Sequence, residues 1–306
     1  MSDPRPIGVF DSGVGGLTVL REIVRRTPFE STIYLGDNAR TPYGPRPDEE
    51  VLAFSTQSLD ALVERDVKAL VVACNTSTAV GIGAFRRRYA LPVLGVIRPG
   101  AQAAALSTRN RRVGVIATPA TVRSRAYFAS IKDENPAIEV YEHATPTLVP
   151  MVEAGILSGP EAEATVAAAL EPLLGERDAD GESVFPRPPG ASIDTLLLGC
   201  THYPLIRSVI AGIAGERIAI VDSANATASA LAELLIVNGL EAPGTTRGTA
   251  ADAGLAGHER PDEVTAPATH VQLTTGDPER FSDLARRLFG DDFPDVAAVD
   301  LGALAR

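Results

Sequence analysis

Residues 70–78 read LVVACNTST and residues 196–204 read LLLGCTHYP. Each begins as a short apolar run of the length of a buried strand. Each then ends in a cysteine followed by small polar residues, and passes into a segment with helical character. Cys74 and Cys200 are the only two cysteines in the chain. A cysteine at the carboxyl end of a strand, just before a helix, stands where open α/β sheets hold their ligands. The helix N-terminus there offers unpaired N–H groups and partial positive charge, which stabilise a thiolate or a bound carboxylate. A pair of inert core cysteines is the competing reading, because free cysteine is commonly buried. Two cysteines in matched settings, with none elsewhere, favour a function for both.

Working outward, each cysteine closes a similar series. The strand Ile7-Gly8-Val9-Phe10 leads into the glycine-rich turn Asp11-Ser12-Gly13-Val14-Gly15-Gly16 and a helix carrying Leu17, Leu20, Ile23 and Val24. The turn lacks G-x-G-x-x-G spacing and opens with an acid, so it does not read as a dinucleotide fingerprint. Asp11 is a candidate functional acid or simply a helix cap. A second strand at 32–35 precedes Gly36-Asp37-Asn38-Ala39-Arg40-Thr41-Pro42-Tyr43-Gly44, whose prolines and glycines make a fixed loop. In that loop Tyr43 suits either ligand contact or packing. A helix over 48–65, a strand at 69–73 ending at Cys74, a helix over 76–89 and a strand at 92–97 complete a β-α repeat. Such a pattern implies a parallel sheet covered on both faces.

The pattern restarts at Arg98-Pro99-Gly100, read as a break between units. A strand at 112–117 meets the polar turn Thr118-Pro119-Ala120-Thr121, and a strand at 138–142 meets Ala144-Thr145-Pro146-Thr147. A short helix with Glu153, a helix over 161–174, and a strand at 195–199 then lead to Cys200. Asp11/Ser12, Pro42/Tyr43 and Cys74 are thus echoed by Thr118/Thr121, Thr145/Pro146 and Cys200. The expected fold is α/β, with two pseudo-symmetric domains, each a mainly parallel sheet flanked by helices, and the active site in the cleft between them. Residues 1–97 plus 208–306 would form a discontinuous first domain and residues 98–207 the second. Residues 175–192 read as a surface insertion and residues 243–268 as a loop. The tail, with a strand at 270–275, a helix over 277–289 and a strand at 296–301, is expected to complete the first sheet.

Composition narrows the function classes. With 306 residues, 45% of them hydrophobic, the chain can bury one large core or two modest ones. A net charge of −11 disfavours general nucleic-acid binding, which needs a basic surface. No apolar run reaches membrane-spanning length, the N-terminus MSDPRPIGVFDSG carries no secretory pattern, and two unclustered cysteines suit a reducing cytoplasm. Of the two lysines, Lys68 precedes its strand and Lys132 lies in a polar turn. Neither suits a pyridoxal Schiff base, so no cofactor is expected. The four histidines, His143, His202, His258 and His270, are scattered, and no metal site is expected.

Two thiols facing one cleft suit a reaction whose product is the mirror image of its substrate. One thiolate removes a proton from a stereocentre while the opposing thiol delivers one to the other face. Asp11 and His202 are candidate auxiliaries, one beside each cysteine. The stretches IGVFDSGVGGLTVL, YLGDNARTPYG, VVACNTST, VGVIATPAT, LVPMVEAG and LGCTHYPL together resemble bacterial glutamate racemases of the aspartate/glutamate racemase family, over residues 7–223. TTGDPERFSDLARRLFG resembles the tail of that family. The resemblance implies cofactor-independent interconversion of L- and D-glutamate, which supplies D-glutamate for peptidoglycan. It implies Cys74 and Cys200 as the acid/base pair, Cys74 acting on D-glutamate, with Asp11, Glu153 and His202 as auxiliary groups. Glutamate would be held by Ser12, Pro42, Tyr43, Gly44, Asn75, Thr76, Thr118, Thr121 and Thr201, with Asp11 and His202 also in contact. A homodimer is compatible with it. ATPTLVP stands where the family often has Cys-Pro, which bears on the placement of Glu153. The rival readings are a relative acting on aspartate or a hydantoin, a cysteine-nucleophile hydrolase, and a non-catalytic binding protein.

Overall fold

The computed structural model describes residues 2–174, 193–244, 267–290 and 296–302. The insertion and loop expected at 175–192 and through most of 243–268 therefore lie outside the described residues. The first unit runs β1 (Ile7–Asp11), α1 (Leu17–Arg26), β2 (Thr32–Gly36), α2 (Asp48–Val63), β3 (Ala69–Val72), α3 (Asn75–Arg88) and β4 (Val93–Gly95). After α4 (Ile97–Ser107), the second unit runs β5 (Arg112–Ala117), α5 (Pro119–Ser124), α6 (Ala126–Glu134), β6 (Glu139–Ala144), α7 (Leu148–Glu153), α8 (Pro160–Leu174) and β7 (Thr195–Gly199). A single 3-10 turn (Tyr203–Ile206), α9 (Arg207–Ala214) and β8 (Ala219–Asp222) complete it, and α10 (Ala224–Asn238), β9 (His270–Thr274), α11 (Pro278–Phe289) and β10 (Val296–Ala298) follow.

Every strand pairing is parallel, and the two sheets have orders β10-β9-β2-β1-β3-β4 and β6-β5-β7-β8. The four strands β2-β1-β3-β4 correspond in order to β6-β5-β7-β8, which is the pseudo-symmetry expected from the sequence. In each sheet the chain leaves the first strand toward one side and then crosses to the other. That creates a crevice at the carboxyl ends of β1 and β5. Alternation sends adjacent side chains to opposite faces. Val9 packs among α1 and α10 residues such as Leu20 and Leu231, while Phe10 packs with Leu59 and Leu62 of α2. In the second sheet, Leu196 and Leu198 meet Leu170 and Leu173 of α8, and Leu197 meets Tyr127 and Ile131 of α6. Both faces of both sheets are thus covered, which fits the near-continuous apolar strands. Truncating one such leucine to alanine costs about 2–5 kcal/mol.

Two boundaries differ from the sequence reading. Arg98-Pro99-Gly100 does not break the chain but lies in the first turn of α4, and the preceding strand ends at Gly95. Proline is tolerated there because the first N–H groups of a helix have no intrahelical partner. The expected domain division places everything after residue 207 in the first unit, but the strand β8 (Ala219–Asp222) lies in the second sheet. It pairs with β7, in the place β4 takes beside β3, so the second sheet continues through Asp222. The chain returns to the first unit with α10, which packs against α1, and β9 then extends the first sheet beside β2.

Candidate active site

The register brings the carboxyl ends of the strands level. Asp11 pairs with Gly36 and Phe10 with Val72, while Ala117 pairs with both Ala144 and Gly199. Just past those ends lies a cavity of about 140 Å³ between the sheets. A cavity of this size suits a small molecule. Its lining includes Ser12, Thr41, Pro42, Tyr43, Gly44, Cys74, Asn75, Thr76, Thr118, Thr145, Pro146, Cys200, Thr201 and His202. Both cysteines therefore face one enclosed space, one from each sheet. A larger groove of about 630 Å³ runs along β9, α11 and β10 but contains neither.

Cys74 caps α3, its sulfur accepting the Ser77 N–H at 3.4 Å. Its thiol donates to the Ser12 hydroxyl at 3.5 Å. Burial, reinforced by the nearby charge of Asp11, pushes this thiol up to about 11. Cys200 has a different neighbour, with its sulfur 3.8 Å from Nδ1 of His202. Nε2 of His202 lies 3.1 Å from the Glu153 carboxylate. Burial disfavours charge on this imidazole, but Cys200 and Glu153 outweigh it and raise the group to about 10. His202 is therefore protonated at neutral pH and directs an N–H at the sulfur.

Three of the residues expected from the sequence stand behind the cavity wall rather than in it. Asp11 is fully buried, and its Oδ2 accepts the Gly13 and Gly16 N–H groups at 3.0 Å each. Thr201, from the other sheet, donates to its Oδ1 at 3.4 Å. Burial raises its carboxyl group despite these contacts. Asp11 makes no hydrogen bond to Cys74; Ser12 occupies that position, and the Asp11 carboxylate instead holds the turn ahead of α1. Thr121 sits behind Thr118, with hydroxyls 3.0 Å apart, and Glu153 sits behind His202. Tyr43 commits its ring to Phe10 and Phe54 and its hydroxyl to Asp37, leaving its backbone for the cavity.

Close approaches join the units around the cavity. The hydroxyls of Thr76 and Thr118 meet at 2.9 Å, and the Ala120 N–H donates to the Gly44 carbonyl at 3.2 Å. A side chain on Gly44 would lie 2.8 Å from Cβ of Thr118, and one on Gly15 would lie 2.5 Å from Oγ1 of Thr201. Both positions need glycine for that reason. Asn75 lines the cavity, and among the described residues its buried Nδ2 has no partner. Such an unpaired donor fits an acceptor on a ligand. The amino end of α3, at Cys74, Asn75 and Thr76, and the turn after Cys200 line the same space, and a helix N-terminus favours a carboxylate. Among the described residues no three His, Cys, Asp or Glu side chains converge as metal ligands would. No helix there is long and apolar enough to cross a membrane.

Residues 7–181 match the family of Asp/Glu/hydantoin racemases. A glutamate racemase of Oceanobacillus iheyensis is 41% identical over 285 residues, covering 93% of this chain and 92% of the relative. Among solved structures, a glutamate racemase isoform of Bacillus anthracis superposes with a TM-score of 0.80 at 38% identity, covering 97% of this chain and 98% of that one. A glutamate racemase of Francisella tularensis, solved with D-glutamate, has a TM-score of 0.79 at 32% identity and covers 98% of each chain.

Proposed function

The chain belongs to the Asp/Glu/hydantoin racemase family and carries the glutamate racemase activity of an isomerase, and from that premise we propose that it moves the Cα proton of glutamate between two opposed cysteines. Cys200 takes the proton of L-glutamate, and Cys74 delivers its own to the opposite face of Cα, giving D-glutamate. From D-glutamate the roles reverse. The observation that carries this reading is that both thiols line one small cavity from opposite sheets. The unequal surroundings support the assignment. A Cys74 held protonated is ready to donate, and the His202 imidazolium puts positive charge beside the sulfur that must act as base. Helix N-termini, the Asn75 amide and the Thr76–Thr118 hydroxyls would hold the two carboxylates and stabilise charge that builds on the α-carboxylate as the proton leaves. Ser12, Gly44 and Thr201 complete the enclosure, while Asp11 and Glu153 hold Thr201 and His202 from behind. No cofactor is required for this chemistry, since each step is a proton transfer between a thiol and carbon. We infer a cytoplasmic role in supplying D-glutamate for peptidoglycan, which growth of a D-glutamate auxotroph carrying this chain would test.

Deuterium tests the two-thiol scheme. In D₂O, the first D-glutamate formed from L-glutamate carries deuterium at Cα, because the donating thiol has exchanged with solvent. The remaining L-glutamate stays almost unlabelled, because the other thiol still holds the substrate's own proton. Substantial protium in the first D-glutamate would refute opposed thiols in favour of one mobile base.

A further inference from the structure

Asn75 can offer either end of its amide to the cavity, and only the nitrogen end attracts a carboxylate. The carbonyl oxygen would repel it. What fixes the choice lies outside the cavity lining. Tyr127 is fully buried in α6, on the far side of the second sheet from α8, and its hydroxyl donates to Oδ1 of Asn75 at 2.6 Å. Ser223, just ahead of α10, stands beside this tyrosine. An amide oxygen can only accept, so the phenolic hydrogen points at Asn75. Gly100 of α4 packs against this pair, with room for only a hydrogen where a Cβ would lie 2.9 Å from Cβ of Ser223. Asn75 itself lines the cavity, and its Nδ2 is buried and, among the described residues, without a partner.

We propose that Tyr127 is a positioning residue that locks the Asn75 amide with its nitrogen toward the cavity. The inference rests on glutamate occupying this cavity. It assigns to the second unit a share in carboxylate recognition by a residue of the first, so recognition depends on how the two units meet.

The test is a kinetic cycle on the full chain. Tyr127→Phe removes one oxygen and keeps the ring in its packing. It should raise KM for both enantiomers about tenfold, the worth of one hydrogen bond, with kcat changed less than about twofold. In an Asn75→Ala background the same substitution should do nothing further, because the group it orients is gone. A tyrosine that merely packs would shift thermal stability while leaving KM alone, or would act equally in both backgrounds. Either result overturns the inference. It would leave the racemase reading intact, since that stands or falls on turnover by the unaltered protein.

Discussion

Cys74 closes β3 between a serine hydroxyl and a backbone amide, whereas Cys200 closes β7 against an imidazole backed by a carboxylate. The strands correspond, and the sulfurs share a cavity, yet one site holds its proton through burial and the other carries a fixed positive charge. Two copies of a scaffold can thus put two like groups on opposite faces of a substrate. The substrate is handed, so the surroundings need not match, and the chemistry of each side is adjusted by one or two neighbours. Those neighbours can be removed one at a time.

Removing either sulfur should do the most harm. Cys74→Ala and Cys200→Ala should each cut racemisation by about 10²–10⁴-fold, the worth of an acid/base group, measured by polarimetry from both enantiomers. Normal turnover by either variant would end the symmetric reading. Stability against pH should separate the two sites. Both Cys74 and His202 have folded values above their ordinary ones, so the stability each contributes is present at low pH and lost as pH rises. For His202 the loss runs from about 6.5 to about 10, and for Cys74 from about 9 to about 11. Urea unfolding of the parent relative to His202→Asn should decline in the first window. Relative to Cys74→Ser it should decline in the second, by on the order of 3 kcal/mol. Coincident windows would mean that the sites are not tuned separately.

His202→Asn and Glu153→Gln should lower kcat roughly tenfold, and unequally in the two directions. The enantiomers are equally stable, so kcat/KM must remain equal between directions, and the asymmetry has to be sought in kcat and in substrate isotope effects. Equal slowing would demote the pair to a structural contact. The smallest effect should come from Ser12→Ala, about threefold, felt through Cys74 alone. If it matched the Glu153 variant, the serine would be acting on more than the thiol it touches.

Strand-end cysteines, the restart of the β-α pattern and the polar turns were legible because period and punctuation are local properties. Pro99-Gly100 marks the restart of the pattern, but its residues do not say that they begin a helix, since a proline suits a helix's first turn as well as a turn between elements. The strand 219–222 was recognisable as a strand, but nothing in its residues says which sheet it joins. The direct neighbour of Cys74 was also hidden. Asp11 and Ser12 are adjacent, and only the turn around Gly13 and Gly16 decides that the acid points inward while the serine meets the sulfur. Tyr127 carried no signal, since a tyrosine in an amphipathic helix reads as core whether or not its hydroxyl orients an amide.

The place of β9 beside β2 also bears on how the chain is made. Thr32 and His270, side by side in the finished sheet, are separated by 238 positions along the chain. At translation rates of about 5–20 residues per second, β2 waits tens of seconds for its outer neighbour to leave the ribosome. During that time its unpaired N–H and C=O groups are a template for any passing strand. The second unit has no such wait, since β5 through β8 emerge without interruption and can close their sheet first. Nascent chains therefore carry a finished inner unit and a half-open outer one, and it is the outer sheet that a chaperone has reason to shield.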